Sequence, residues 1–109
     1  MRRASSVLLR QTPLFEHVYR AGHWVRGTHL SIGQASNGLP ILRVGLRTRK
    51  GLKGAVIRNR LKRQMRAILA GKVQRWPIGV DVVIVIHPKH SSLTSSELSV
   101  EFSHLCSRL

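Results

Sequence analysis

The sequence predicts an α/β fold in a single domain spanning residues 1–109. Three observations carry that expectation. Apolar residues recur with helical period over residues 55–70, the strongest helix signal in the chain. Asp81 to Ile86 is a nearly unbroken β-branched run, the pattern of a strand covered on both faces. Hydrophobic residues make up 42% of the 109, enough for a core without disulfide or metal support.

The elements follow in order. Residues 1–8 carry no clear signal and are expected to form a flexible N-terminal segment. Their apolar stretch, Val7-Leu8-Leu9, is far too short for a secretory signal. Thr12-Pro13 reads as an N-cap with proline at the first helical position. Leu14, Phe15, Val18 and Tyr19 recur at helical spacing and Gly22 offers a stop, which gives a helix near 13–21. Residues 23–33 read as extended. Asn37-Gly38 is a hairpin signal, softened by Pro40, and Ile41, Leu42, Val44 and Leu46 make the next strand. In the helix over 55–70, Ile57, Leu61, Met65, Ile68 and Leu69 fall within an arc of about 120°. Asn59, Lys62, Arg63 and Arg66 project from another sector, and Gly71 ends the helix. Trp76 to Gly79 connects to the strand 81–86. Thr94-Ser95-Ser96-Glu97 is a capping box, with Leu93 and Leu98 placed as a hydrophobic staple, and a last helix follows near 95–107. The order is αβ(β)βαβα.

Charge narrows the function. Nineteen Lys and Arg against four Asp and Glu give +15. From His17 to Val80 there is no acid, and 14 of the 19 cations lie in that span. One-sign surfaces repel themselves, so cations this uncompensated imply a polyanion, with nucleic acid favoured over an anionic membrane. The longest aliphatic run, Val82 to Ile86, falls far short of the roughly 20 residues that span a bilayer. A single cysteine excludes an internal disulfide and fits a reduced, cytoplasmic setting.

An independent active site is not legible. The chain has no phosphate-cradling glycine loop. Glu97 and Glu101, one turn apart, read as solvent-exposed helix charges. His87 and His90 are the only close histidine pair and have no cysteine or acid beside them in sequence, so they read as loop histidines and no metal site is assigned. Cys106 has no base partner. The chemistry-bearing feature is Arg58-Asn59-Arg60-Leu61-Lys62-Arg63-Gln64-Met65-Arg66: five cations and Asn59 within nine residues of a helix whose other face is apolar. Guanidinium forks grip phosphate bidentately, Asn can bond a base edge or 2′-OH, and the helix fixes their spacing.

Together with Arg43-Val44-Gly45-Leu46 and Lys50, the stretch Ala55 to Arg66 resembles the protein subunit of bacterial ribonuclease P. That family carries an R-V-G-L strand, a basic turn and an R-N-R-x-K-R-x-x-R helix. Phe15, Val18, Tyr19 and Gly22 fit its first helix, and Asp81 with the run after it fits its last strand. The likeness covers about residues 9–107.

The resemblance implies a small two-layer sandwich with a four-stranded sheet in αβββαβα order and a left-handed βαβ crossover. It implies one protein bound to one large catalytic RNA, with weak self-association of the free protein, the pair removing the 5′ leader of precursor tRNA. Catalytic residues would be none: Mg²⁺ would be held mainly by the RNA, and the isolated protein would cleave nothing. Two surfaces follow. Arg49, Lys50, Lys53, Arg58, Asn59, Arg60, Lys62, Arg63 and Arg66 would meet the catalytic RNA. A cleft between the first helix and the sheet would take the leader, with Phe15 and Tyr19 stacking on bases and Arg43 near phosphates; ordinary core packing is the competing reading of both aromatics. The chain departs from the pattern at Arg47 to Gly54, where the turn closes one position late, and at His87, where the family has a basic residue. The alternative is a ribosomal or RNA-chaperone protein with no catalytic partner, which charge and size fit equally well.

Overall fold

The computed structural model describes residues 6–8, 12–49, 52–72, 76–90 and 92–109. The elements are β1 (Ser6–Leu8), α1 (Thr12–Ala21), β2 (His23–Arg26), β3 (Leu30–Ser36), β4 (Leu42–Thr48), α2 (Ala55–Ala70), β5 (Val80–Ile86) and α3 (Ser95–Cys106). The strands form one mixed sheet in the order β1-β4-β5-β3-β2. The expected four strands are β2 to β5. Ser6–Leu8, inside the segment expected to be flexible, adds a short fifth by pairing in parallel with β4, which covers an edge that would otherwise expose unpaired backbone groups.

The stretch 23–33 is not one strand. It bends at Thr28 and His29, and β2 pairs antiparallel with β3. The hairpin expected at Asn37-Gly38 does not form either. Gly38 takes a positive φ of 69° and Asn37 makes its local turn, its Oδ1 accepting from Leu39 N at 2.8 Å. But β3 and β4 are not neighbours, because β5 lies between them, antiparallel to β3 and parallel to β4. The loop backbone feeds β5 on both sides: Asn37 N donates to Gly79 O and Gly79 N to Ile41 O. Asn37-Gly38 is therefore a turn without a hairpin. The local turn chemistry is realised, but the apolar β5 run, wanting cover on both edges and both faces, takes the central place.

Alternation along the strands divides the core. Val44, Leu46, Ile32, Val82, Ile84 and Ile86 face α2 and α3, where Leu61, Met65, Leu69, Leu98, Phe102 and Leu105 close the main core. On the other face, α1 packs Phe15 and Val18 against Ala35 and Val83. The sandwich expected from the resemblance is formed by the sheet with α2 and α3, and α1 adds a partial third layer. The capping box at Thr94 is complete: its side chain accepts from Glu97 N and Glu97 answers to Thr94 N.

α2 begins at Gly54, whose φ of +92° only glycine adopts without strain. No acid occupies its first turn and no side chain caps it.

Trp24 lies flat across Gly33 of the neighbouring strand, its cross-strand partner. A Cβ on Gly33 would stand inside the indole ring. Gly33→Ala should therefore displace Trp24 and cost about 1–3 kcal/mol. Near-ultraviolet circular dichroism with thermal melting checks it; an unchanged tryptophan signal with unchanged stability would show that the contact is not needed.

Candidate nucleic-acid interface

Two cationic surfaces emerge, on opposite faces of the sheet. The first is the outer side of α2. Burial of Leu61, Met65 and Leu69 fixes its rotation, leaving Asn59, Arg63 and Arg66 exposed and Lys62 half-buried. Lys53 is exposed just before the helix. Arg58 is spent differently: its Nη1 donates to Leu52 O at 2.9 Å and so closes the turn leading into α2. Arg60 is half-buried. Lys50 lies outside the described residues. The surface places cations around a helix start, where the backbone dipole is itself positive.

The second surface is a cavity of about 600 Å³ on the α1 face, lined by Tyr19, Trp24, Arg26, Ser31, Arg49 and His87 among others. Tyr19 is 47% exposed and stacks in parallel on Trp24, ring centres 5.3 Å apart. The Arg47 guanidinium sits 4.9 Å from the Phe15 ring and 5.9 Å from the Tyr19 ring, a cation–π arrangement that orients both. Ser31 Oγ and His87 Nε2 are 2.8 Å apart on the floor.

These positions sort the expected residues. Phe15 is core and Tyr19 is open, so the two readings weighed for them divide between the two rings. Arg43 does not stand free in the cleft. Its Nε and Nη2 donate to the two oxygens of Asp81 at 2.7 and 2.8 Å, because β4 and β5 set the two residues side by side. Asp81 also accepts from Asn37 Nδ2. The cation over the aromatics is Arg47, which alternation along β4 puts on the same face as Arg43. Arg49 lines the cleft rather than the α2 surface. Periodicity does not mark Trp24, Arg26 or Arg47 as cleft residues, because only the pairing of β2 with β3 and the packing of α1 bring them together.

A further cluster of titratable groups lies where the β2–β3 loop, the loop after β5 and α3 meet. Glu101 is not a free helix charge: its Oε2 accepts from the backbone N–H of His29 and Leu30 at 2.7 and 2.6 Å. Hydrogen bonds from the Thr94 backbone and hydroxyl hold the Glu97 carboxyl below its ordinary value. No acid neighbours His90 in sequence, but the fold supplies one: His29, His90 and Glu97 bring their donor atoms within 4.8 Å of one another. Burial pushes the Cys106 thiol up, away from a nucleophile's range. No described helix is long and apolar enough to cross a membrane.

The family model described as Ribonuclease P matches residues 4–109. The chain belongs to the ribonuclease P protein family. A ribonuclease P protein component from Syntrophobacter fumaroxidans is 35% identical over 94 residues, covering 85% of this chain and 79% of that protein. One from Beutenbergia cavernae is 37% identical over 92 residues, covering 83% and 76%. The fold agrees. The RNase P protein of Staphylococcus aureus superposes with a TM-score of 0.85 over 95% of both chains at 19% identity. That of Thermotoga maritima gives 0.79 over 93% of this chain and 96% of the other at 23% identity. The resemblance seen in Arg43–Leu46 and Arg58–Arg66 is thus a family relationship over nearly the whole chain.

Proposed function

We propose that this ribonuclease P protein binds the catalytic RNA through the outer face of α2 and the precursor-tRNA 5′ leader through the cleft under α1. The observation that supports this most is the composition of α2's outward face. Lys53, Arg63 and Arg66 stand exposed, with no acid in the first turn to neutralise them, so the polyphosphate of an RNA supplies the missing anions. Asn59 adds a base-edge or 2′-OH contact. Lys50, Arg60 and Lys62 extend the patch, and Arg58 shapes the turn beside it. In the cleft, the exposed part of Tyr19, on its Trp24 platform, is offered to a leader base, and Arg26, Arg47 and Arg49 surround it with charge. Cleavage itself is assigned to Mg²⁺ ions held in the RNA. The protein then strengthens substrate and metal binding without itself cleaving, in a complex of one protein per RNA.

The test is cleavage of a precursor tRNA at low millimolar Mg²⁺ with the matching catalytic RNA, the protein added or omitted. Accurate 5′ maturation is expected only with both, and none with the protein alone. Tight RNA binding without stimulation would overturn the proposal and point to a ribosomal or chaperone role.

The cleft has its own test. Tyr19→Ala should weaken binding of leader-bearing substrate by about 1–3 kcal/mol, roughly five- to a hundred-and-fifty-fold, while leaving affinity for mature tRNA unchanged. Tyr19→Phe should retain most of it. Equal losses for both tRNAs would place Tyr19 outside the leader path.

A further inference from the structure

We propose that His29, His90 and Glu97 form a binding site for one transition-metal dication, zinc being the ion their donors suit best. Three separate segments meet there: the loop between β2 and β3, the loop after β5, and the first turn of α3. The His29 and His90 rings contact edge to face, centres 5.3 Å apart.

The chemistry favours a borderline metal. Two imidazoles and one carboxylate are the donor set of open zinc sites, which leave a position for water. Mg²⁺ prefers oxygen ligands in an octahedron and is a poor fit for two nitrogens. Each side chain is held for the task. His90 Nδ1 lies 3.0 Å from Ser92 Oγ, so a hydrogen bond there leaves Nε2 for the metal. Glu97 uses Oε1 for Thr94, which keeps the carboxylate over the helix start and leaves Oε2 unused by that cap. His29 is fixed because Glu101 clamps its backbone N–H. Its Nδ1 accepts from Lys89 N at 3.1 Å, and metal binding at Nδ1 would exchange this exposed hydrogen bond for a coordinate bond.

The donor atoms need to draw in from 4.8 Å to about 3.3 Å, the edge of a zinc tetrahedron. His90 and Glu97 are exposed, so small torsional adjustments that keep the Ser92 and Thr94 hydrogen bonds bring the donors in. Electrostatics permit a dication here in spite of the net +15: two of the chain's four acids, Glu97 and Glu101, stand at this corner. Thr28 lines both this corner and the cleft, and Lys89 lies on the cleft wall. A bound ion would therefore tie together two loops that form that wall.

The experiment titrates ZnCl₂ into the chelator-treated full-length protein by calorimetry, with Co²⁺ as a spectroscopic substitute. One equivalent of Zn²⁺ should bind, Co²⁺ should give the intense visible bands of a low-coordinate site, and low-millimolar Mg²⁺ should not compete. His90→Ala and Glu97→Gln should each weaken binding by more than the roughly 10- to 100-fold that loss of an outer-shell partner costs. Glutamine can keep the capping box, so Glu97→Gln reports on metal binding even where helix packing is sensitive. His23→Ala, an exposed histidine on β2, should bind as the parent does. In nuclear magnetic resonance, Zn²⁺ should move the Lys89 amide signal. Absence of stoichiometric uptake, unchanged affinity in both ligand variants, or an equal loss in His23→Ala would overturn the site.

Discussion

Asp81→Ala should destabilise the protein by about 3–5 kcal/mol, a large part of the stability of a domain this size. Asp81 is fully buried, and Arg43 opposite it is only 18% exposed along its side chain. The bidentate pair joins the two parallel strands β4 and β5 and also holds Asn37 in the preceding loop. Alanine would leave the guanidinium in the sheet without its counter-charge and Asn37 with only the Ile41 carbonyl as acceptor. Removing both charges is the informative control. Arg43→Met with Asp81→Ala should recover most of the loss, since the cost lies in the orphaned charge more than in the missing attraction. Urea unfolding measures both. A single variant that melts with the parent would mean that water reaches the Arg43 head group freely.

Arg63→Ala combined with Arg66→Ala should weaken binding to the catalytic RNA by a hundredfold or more, taking about 1.5–3 kcal/mol for each charge-assisted contact. The log–log salt dependence should flatten at the same time, by about 1.4 to 1.8 in slope for two phosphates. Both side chains are exposed on α2 and neither touches the core, so stability should hold. A drop in affinity with an unchanged slope would assign them a role other than phosphate contact. Arg58 is the contrasting case. Its guanidinium binds Leu52 O, so Arg58→Ala should disturb the turn as well as the RNA.

The sequence revealed most where one local period settles one face. α2 has the boundaries its apolar spacing predicts, and Ile57, Leu61, Met65, Ile68 and Leu69 all lie in or against the main core. The capping box at Thr94 and the strand 81–86 were equally readable. What stayed hidden depends on pairing between distant segments. Nothing near Asn37-Gly38 shows that β5 will separate the strands on either side. Arg43 looked like a free cation because its partner, Asp81, is 38 residues away. Arg47 was overlooked for the same reason: only the packing of α1 on that face brings Phe15 and Tyr19 beneath it. His29 meets His90 and Glu97 only through the end of a strand pair and the start of a helix.

The position of β5 also sets the timing of biogenesis. While the ribosome is still making residues before Val80, β3 and β4 have no common neighbour, and each presents an edge that β5 will later fill. The sheet cannot be completed until Val80–Ile86 has been synthesised, and Leu98, Phe102 and Leu105 arrive later still. Until then the segments already made are cationic and short of their core partners. Folding is driven by contacts distant in sequence, which makes it slower than for a helical domain of equal length. During that interval the emerging basic segments carry charge that only an outside polyanion can compensate.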